Sequence, residues 1–125
     1  MILGVGIDLV EIARIARIHT RFGRSFAEKF LIGGEREDCL DHLLPAPRLA
    51  ARFAAKEALS KALGTGIGKE LGWHDIEVLR SANGQPSLVF HGKAIALLRE
   101  RGITRTHLSL THSQSHAAAV VVLES

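Results

Sequence analysis

Apolar residues alternate with glycine from Ile2 to Leu9, which reads as a short buried strand. The period then changes to that of a helix. From Leu9 to about Phe22, Ile12, Ile15, Ile18 and Phe22 share one face, while Arg14, Arg17, Arg21 and Arg24 share another. Asp8 followed by Glu11 fits a capping box at the start of that helix, and Gly23 interrupts or ends it. Gly33-Gly34 marks a break, a short helix is expected over Glu35 to Leu44, and Pro45 and Pro47 end it. Arg48 to Leu63 is the strongest helical segment, rich in alanine and free of Gly and Pro. Gly64-Thr65-Gly66-Ile67-Gly68 closes it in a glycine-rich loop. Trp73 to Leu79 alternates as a strand, Ser81-Ala82-Asn83-Gly84 is a hairpin turn, and Ser87 to Phe90 returns. Gly92 to Arg101 is a helix ended by Gly102. Leu108–Thr111 and Ala117–Leu123 read as two final strands joined through Ser113-Gln114-Ser115.

The order is strand, helices, two strands, helix, two strands. Hairpin-joined strands with segregated helices predict an α+β fold with a mainly antiparallel sheet, not a doubly wound parallel one. At 125 residues, one domain over 1–125 is expected.

Composition narrows the function classes. Cys39 is the only cysteine, so no intrachain disulfide forms and a reducing compartment fits. Met1 to Gly6 is too short for the apolar region of a signal peptide, and no run approaches a membrane span, so the expected location is the cytoplasm. The formal charge of +3 suits an anionic small molecule, an acidic protein surface or nucleic acid. One Trp, five Phe and no Tyr make a poor base-stacking surface and argue against nucleic acid.

Candidate chemistry follows from position. Glu57 and Lys61 lie four apart on one helix face, either as a solvated pair or, with Ala54, Ala55, Ala58 and Ala62 allowing close approach of a neighbour, in a cleft. Asp8 is either a helix cap or the partner of Glu57 at a divalent cation, since magnesium takes one or two carboxylates and completes its shell with water and phosphate. Gly64-Thr65-Gly66 lacks the spacing of a Walker A loop and the strand-before-helix order of a dinucleotide site. It is a glycine C-cap or an anion-binding backbone loop. His112 and His116 have no companion cysteines, so a surface or phosphate-contacting role for His112 is preferred to zinc. The arginine stripe has one acid, Glu11, near its start and offers a dock for an acidic helix.

Taken together, these residues resemble a known family. Gly4-Val5-Gly6-Ile7-Asp8, Arg52-Phe53-Ala54-Ala55-Lys56-Glu57-Ala58, Lys61-Ala62, Gly64-Thr65-Gly66, Asn83-Gly84-Gln85-Pro86 and Leu108-Ser109-Leu110-Thr111-His112 are similar to the holo-acyl-carrier-protein synthases, the short type of phosphopantetheinyl transferase, over nearly the whole length. The resemblance implies transfer of 4′-phosphopantetheine from coenzyme A to a serine of apo acyl carrier protein in fatty-acid biosynthesis, with adenosine 3′,5′-bisphosphate released. It implies that Asp8 and Glu57 bind magnesium and that Lys61 balances phosphate charge. Arg52, Lys61, Gly64, Thr65, Gly66, Asn83, Gly84, Pro86 and His112 would line the coenzyme A site. Arg14, Arg21 and Arg24 would grip the carrier protein, and a homotrimer would place the active sites between subunits. One departure is the stretch Ile32-Gly33-Gly34-Glu35, which lacks the threonine that usually starts the short helix. Glu35, Glu57, Asp8 and a metal-bound water all stand as candidates for the general base. The competing expectations are a non-catalytic coenzyme A or nucleotide-binding module and a basic nucleic-acid-binding protein.

Overall fold

A computed structural model describes all residues from Met1 to Ser125. The elements run β1 (Ile2–Glu11), α1 (Ile12–Phe22), α2 (Arg24–Phe30), α3 (Gly34–Leu40), α4 (Ala46–Leu63), β2 (Ile76–Arg80), β3 (Pro86–Phe90), α5 (Lys93–Glu100), β4 (Arg105–His112) and β5 (His116–Glu124), with one 3-10 turn at Trp73–Asp75 before β2. Two antiparallel sheets form, one ordered β1-β5-β4 and the other the hairpin β2-β3. The α+β expectation holds. No helix is long and apolar enough to cross a membrane.

The three-stranded sheet carries α4 on one face. The inward residues of β5, Ala117, Ala119, Val121 and Leu123, are buried beneath it with Leu49, Ala54, Ala55, Ala58 and Leu59. The glycines of β1 have a specific cause. A Cβ on Gly6 would lie 1.9 Å from the Ala58 carbonyl oxygen, and one on Gly4 would lie 2.3 Å from that of Ala62. Strand and helix backbones therefore meet directly, and the small residues on both elements exist for that approach. The opposite face of the same sheet is bare in the single chain, where Val5, Ile7 and Leu9 are exposed, the last two by 66% and 67%.

Several boundaries differ from the sequence expectations. β1 runs to Glu11, which pairs with His116, and Ile12 N–H donates to the Ser115 carbonyl. Asp8 therefore sits within a strand opposite Ala119 and is no helix cap. The ladder to β5 outcompetes the local capping box, because each further residue of strand adds backbone hydrogen bonds that a cap cannot match. Gly23, at φ 61°, ends α1 and a separate helix, α2, begins at Arg24. Helix α3 is shorter than expected, and Pro47 opens α4 instead of closing α3. Proline is well tolerated in a first helical turn, where its missing N–H has no partner to lose.

Candidate active site

Strand β1 and helix α4 cross closely enough to bring Asp8, Glu57 and Lys61 together. The Lys61 ammonium donates to Asp8 Oδ1 at 2.8 Å and to the Ile7 carbonyl at 3.2 Å. Glu57 is half-buried on the same helix face. Partial burial pushes its carboxyl above the usual range, the nearby Asp8 charge pushes the same way, and Lys61 opposes both. The Asp8 hydrogen bond is the main reason that Lys61 holds its proton above the ordinary lysine value. The two carboxylates thus stand near one another, with Lys61 bonded to Asp8 and within reach of the Glu57 charge. That donor set fits a hard divalent ion whose remaining positions are filled by water and phosphate. No three His, Cys, Asp or Glu side chains converge anywhere in the chain, so the protein offers no complete cage for a metal.

A second group of residues lies across α4, towards β4, on the opposite edge of the sheet. His42, Leu43, Leu44, Pro47, Arg48, Ala51, Arg80, Gly84 and His112 line a groove of about 680 Å³. No carboxylate lines it, so its field is cationic. His112 ends β4 and is exposed there. The Ser81–Gln85 turn forms the rim: Ser81 N–H donates to the Gln85 carbonyl and Gly84 N–H to the Ser81 carbonyl, with Gly84 at φ 87°. Asn83 Oδ1 accepts from the Gln85 N–H and the Ser81 hydroxyl, and Pro86 stands opposite Arg80 in the β2-β3 ladder. One chain therefore holds the predicted residues as two groups on either side of one helix and does not merge them.

The remaining predicted residues take different places. Arg52 is 1% exposed and donates through Nη2 to Asp38, while its Nε and Nη1 are buried without a partner. It forms the wall of a small cavity beside Asp38 and Arg80 and meets the groove only through its neighbours. At Gly64, Thr65 and Gly66 the backbone N–H groups already donate to the Lys61 and Ser60 carbonyls, and Gly64 adopts φ 74°. This is a helix C-cap, and those donors are spent on α4. The arginine stripe divides at Gly23. Arg17 pairs with Glu11 at 3.6 Å and Arg24 with Glu28 at 3.1 Å, so the stripe is more balanced than its spacing predicts. Arg21 lies over the Phe22 ring, and Arg14 has no carboxylate within 4.0 Å.

Glu35 is removed from the candidates for the general base. It is 1% exposed, pairs with Lys56 at 2.8 Å, and accepts from the Ile32 and Val78 backbone N–H groups. The contact to Ile32 also explains how α3 starts without a threonine: the carboxylate reaches back to the free N–H. Lys56 donates further to the Phe30 and Trp73 carbonyls. Burial pushes its ammonium below the ordinary lysine value, against the Glu35 charge. Sequence reading missed this pair. Its signal was a lysine at helical spacing from Leu49, Phe53, Leu59 and Leu63, where burial demands a partner. Arg48 and Arg80 also line the groove without having been among the expected residues, and nothing in their spacing marks them.

Comparison with known proteins gives one consistent result. The family profile described as the 4′-phosphopantetheinyl transferase superfamily matches residues 4–121. The holo-[acyl-carrier-protein] synthase of Syntrophus aciditrophicus is 48% identical over 99% of this chain and 97% of its own. That of Nitratidesulfovibrio vulgaris is 51% identical over the whole of both chains. Among solved structures, the synthase of Neisseria meningitidis superposes with a TM-score of 0.92 at 37% identity, covering 100% of both chains. The Helicobacter pylori synthase in complex with coenzyme A gives 0.85 at 38% identity, covering 96% of this chain and 99% of that one.

Proposed function

The chain belongs to the 4′-phosphopantetheinyl transferase superfamily, and from that premise we propose that Asp8 and Glu57 hold the magnesium ion on which its reaction depends. The reaction moves 4′-phosphopantetheine from coenzyme A to a serine of apo acyl carrier protein and releases adenosine 3′,5′-bisphosphate. The serine oxygen bonds to the phosphorus that carries pantetheine, the bond from that phosphorus to the nucleotide breaks, and the serine proton leaves to a base. Bound magnesium would neutralise and orient the diphosphate, which is most of what phosphoryl transfer asks of a protein.

The observation that carries the proposal is the Asp8–Lys61 contact with Glu57 beside it. Lys61, half-exposed, is placed to meet charge that gathers on the departing phosphate. The base would be Glu57, Asp8 or a water held at the metal.

The working form is a homotrimer with its active sites between subunits, in the cytoplasm, serving fatty-acid synthesis. Two features support the assembly. The face of β1 carrying Val5, Ile7 and Leu9 is an apolar surface that a monomer would leave wet. The cationic groove and the carboxylate pair are separated by α4, so a neighbouring copy can supply one to the other. Arg14, Arg21 and Arg24, exposed on α1 and the start of α2, form the dock for the acidic carrier protein.

Incubation with apo carrier protein, coenzyme A and magnesium, followed by mass spectrometry of the carrier, tests the reading. The phosphopantetheine increment should appear, vanish with EDTA and return with excess magnesium. Coenzyme A binding without any increment would leave a binding module in place of an enzyme.

A further inference from the structure

The bare face of the three-stranded sheet is apolar along its middle and charged at its ends. His107 stands opposite Val122, which stands opposite Val5, so these side chains share that face. Glu124 follows two residues after Val122 on the same side, with Arg105 and Ile2 as its ladder partners. His107 Nε2 lies 2.5 Å from Glu124 Oε1, and Arg105 Nη2 lies 3.7 Å from Glu124 Oε2. The charge of the Met1 ammonium also reaches Glu124. One carboxylate thus stands among two cations, and a neutral His107 meets it as a plain hydrogen-bond donor. At the opposite end His116 stands beside Glu11, whose ion pair with exposed Arg17 at 3.6 Å is screened by water, so a charge on His116 is offset there.

Resting on the reading that this face joins three copies, we propose that His107 is a pH switch on the assembly, which neutral imidazole permits and protonation opposes. Equivalent groups of a cyclic trimer lie on one ring about its axis. Each proton taken up at His107 therefore adds a positive charge to a ring where Arg105 and the Met1 ammonium already outnumber Glu124. Joining the faces also removes water from these groups, which strengthens their repulsion. Histidine is the side chain that changes charge between pH 5 and 8. The carboxylate does not share that role. The His107 hydrogen bond and the Arg105 charge hold Glu124 below its usual range, so it stays ionised through the interval. Assembly then releases protons, and acid moves the equilibrium towards single copies.

Sedimentation velocity between pH 7.5 and 5.5, at fixed protein concentration and ionic strength, tests the switch on the wild type, His107→Gln and His116→Gln. Circular dichroism checks that each stays folded. The wild type should pass from trimer towards monomer, its association constant falling about tenfold or more across the interval. His107→Gln keeps an N–H for Glu124 and takes up no proton, so it should remain trimeric to the acid end. His116→Gln should follow the wild type. A wild type equally trimeric at both ends would overturn the proposal, as would His107→Gln dissociating at the same pH as the wild type. A folded His107→Gln that is monomeric throughout would make His107 a structural contact and overturn it too, and loss of the transition in His116→Gln would move the switch to that residue. A wild type already monomeric at pH 7.5 would instead overturn the trimer reading on which the proposal rests.

Discussion

Lys61 and Asp8 close the crossing of α4 over β1, with Nζ 2.8 Å from Oδ1. The contact links residues 53 positions apart, and it lies where Glu57 adds a second negative charge. Ordinary surface ion pairs contribute little to stability. This one sets a cation against Asp8 where the charge of Glu57 also reaches.

Glu57→Gln should therefore cost activity and not fold. Turnover should fall by at least about a hundredfold, in line with the loss of a principal electrostatic group. The melting temperature should stay the same or rise slightly, because a carboxylate repelled by Asp8 has been neutralised. Parallel turnover and thermal-melt measurements decide it. Near-normal turnover would remove Glu57 from the metal site.

Lys56→Met leaves the Glu35 carboxylate buried without its counter-charge and should destabilise the protein by about 3–5 kcal/mol. The double variant Lys56→Met with Glu35→Gln should recover part of that loss, since no bare charge remains. Urea unfolding of the single and double variants measures the difference. Equal stability of the two would show that the pair is not coupled.

Gly6→Ala drives a methyl to 1.9 Å from the Ala58 carbonyl oxygen, a backbone atom that cannot step aside. Overpacking of this kind costs about 1–3 kcal/mol or more. Strand and helix must separate, so turnover should fall together with stability. A crystal structure of the variant should show β1 and α4 further apart.

Val5→Asp places a charge on the bare apolar face of β1. Sedimentation velocity should report monomers in place of trimers, and turnover should drop with them. An unchanged oligomer would move the subunit boundary to another surface.

Cys39 is buried, and burial pushes its thiol up to about 11. A raised value keeps the group protonated, and so a poor nucleophile, through the whole neutral range. Iodoacetamide at pH 8 should leave the native protein unmodified by mass and add one label after denaturation. Rapid native labelling would mean that α3 opens readily.

Much of the chemistry was legible in the chain. Asp8, Glu57 and Lys61 were marked by charge on a small-residue helix and by a glycine-spaced strand; Asp8 and Lys61 do meet, and Glu57 stands near enough to feel the charge of both. The role of Asp8 in local structure was not legible. A capping box is a local signal, and the β1–β5 ladder that overrides it links residues more than 100 positions apart. The burial of Arg52 and Glu35 was equally hidden, since each depends on a partner, Asp38 or Lys56, that only the packing of α3 on α4 supplies. Helix α2 escaped because Gly23 signals a stop without signalling a restart.

Helix α4 stands as a partition between the acids on one flank and the cationic groove on the other. In the proposed trimer each site is completed by two copies, and a solitary copy would lack half of it. Rate per chain should then depend on how concentrated the protein is, fading on dilution well before any copy unfolds, so that in a dilute cell extract the limiting quantity becomes company.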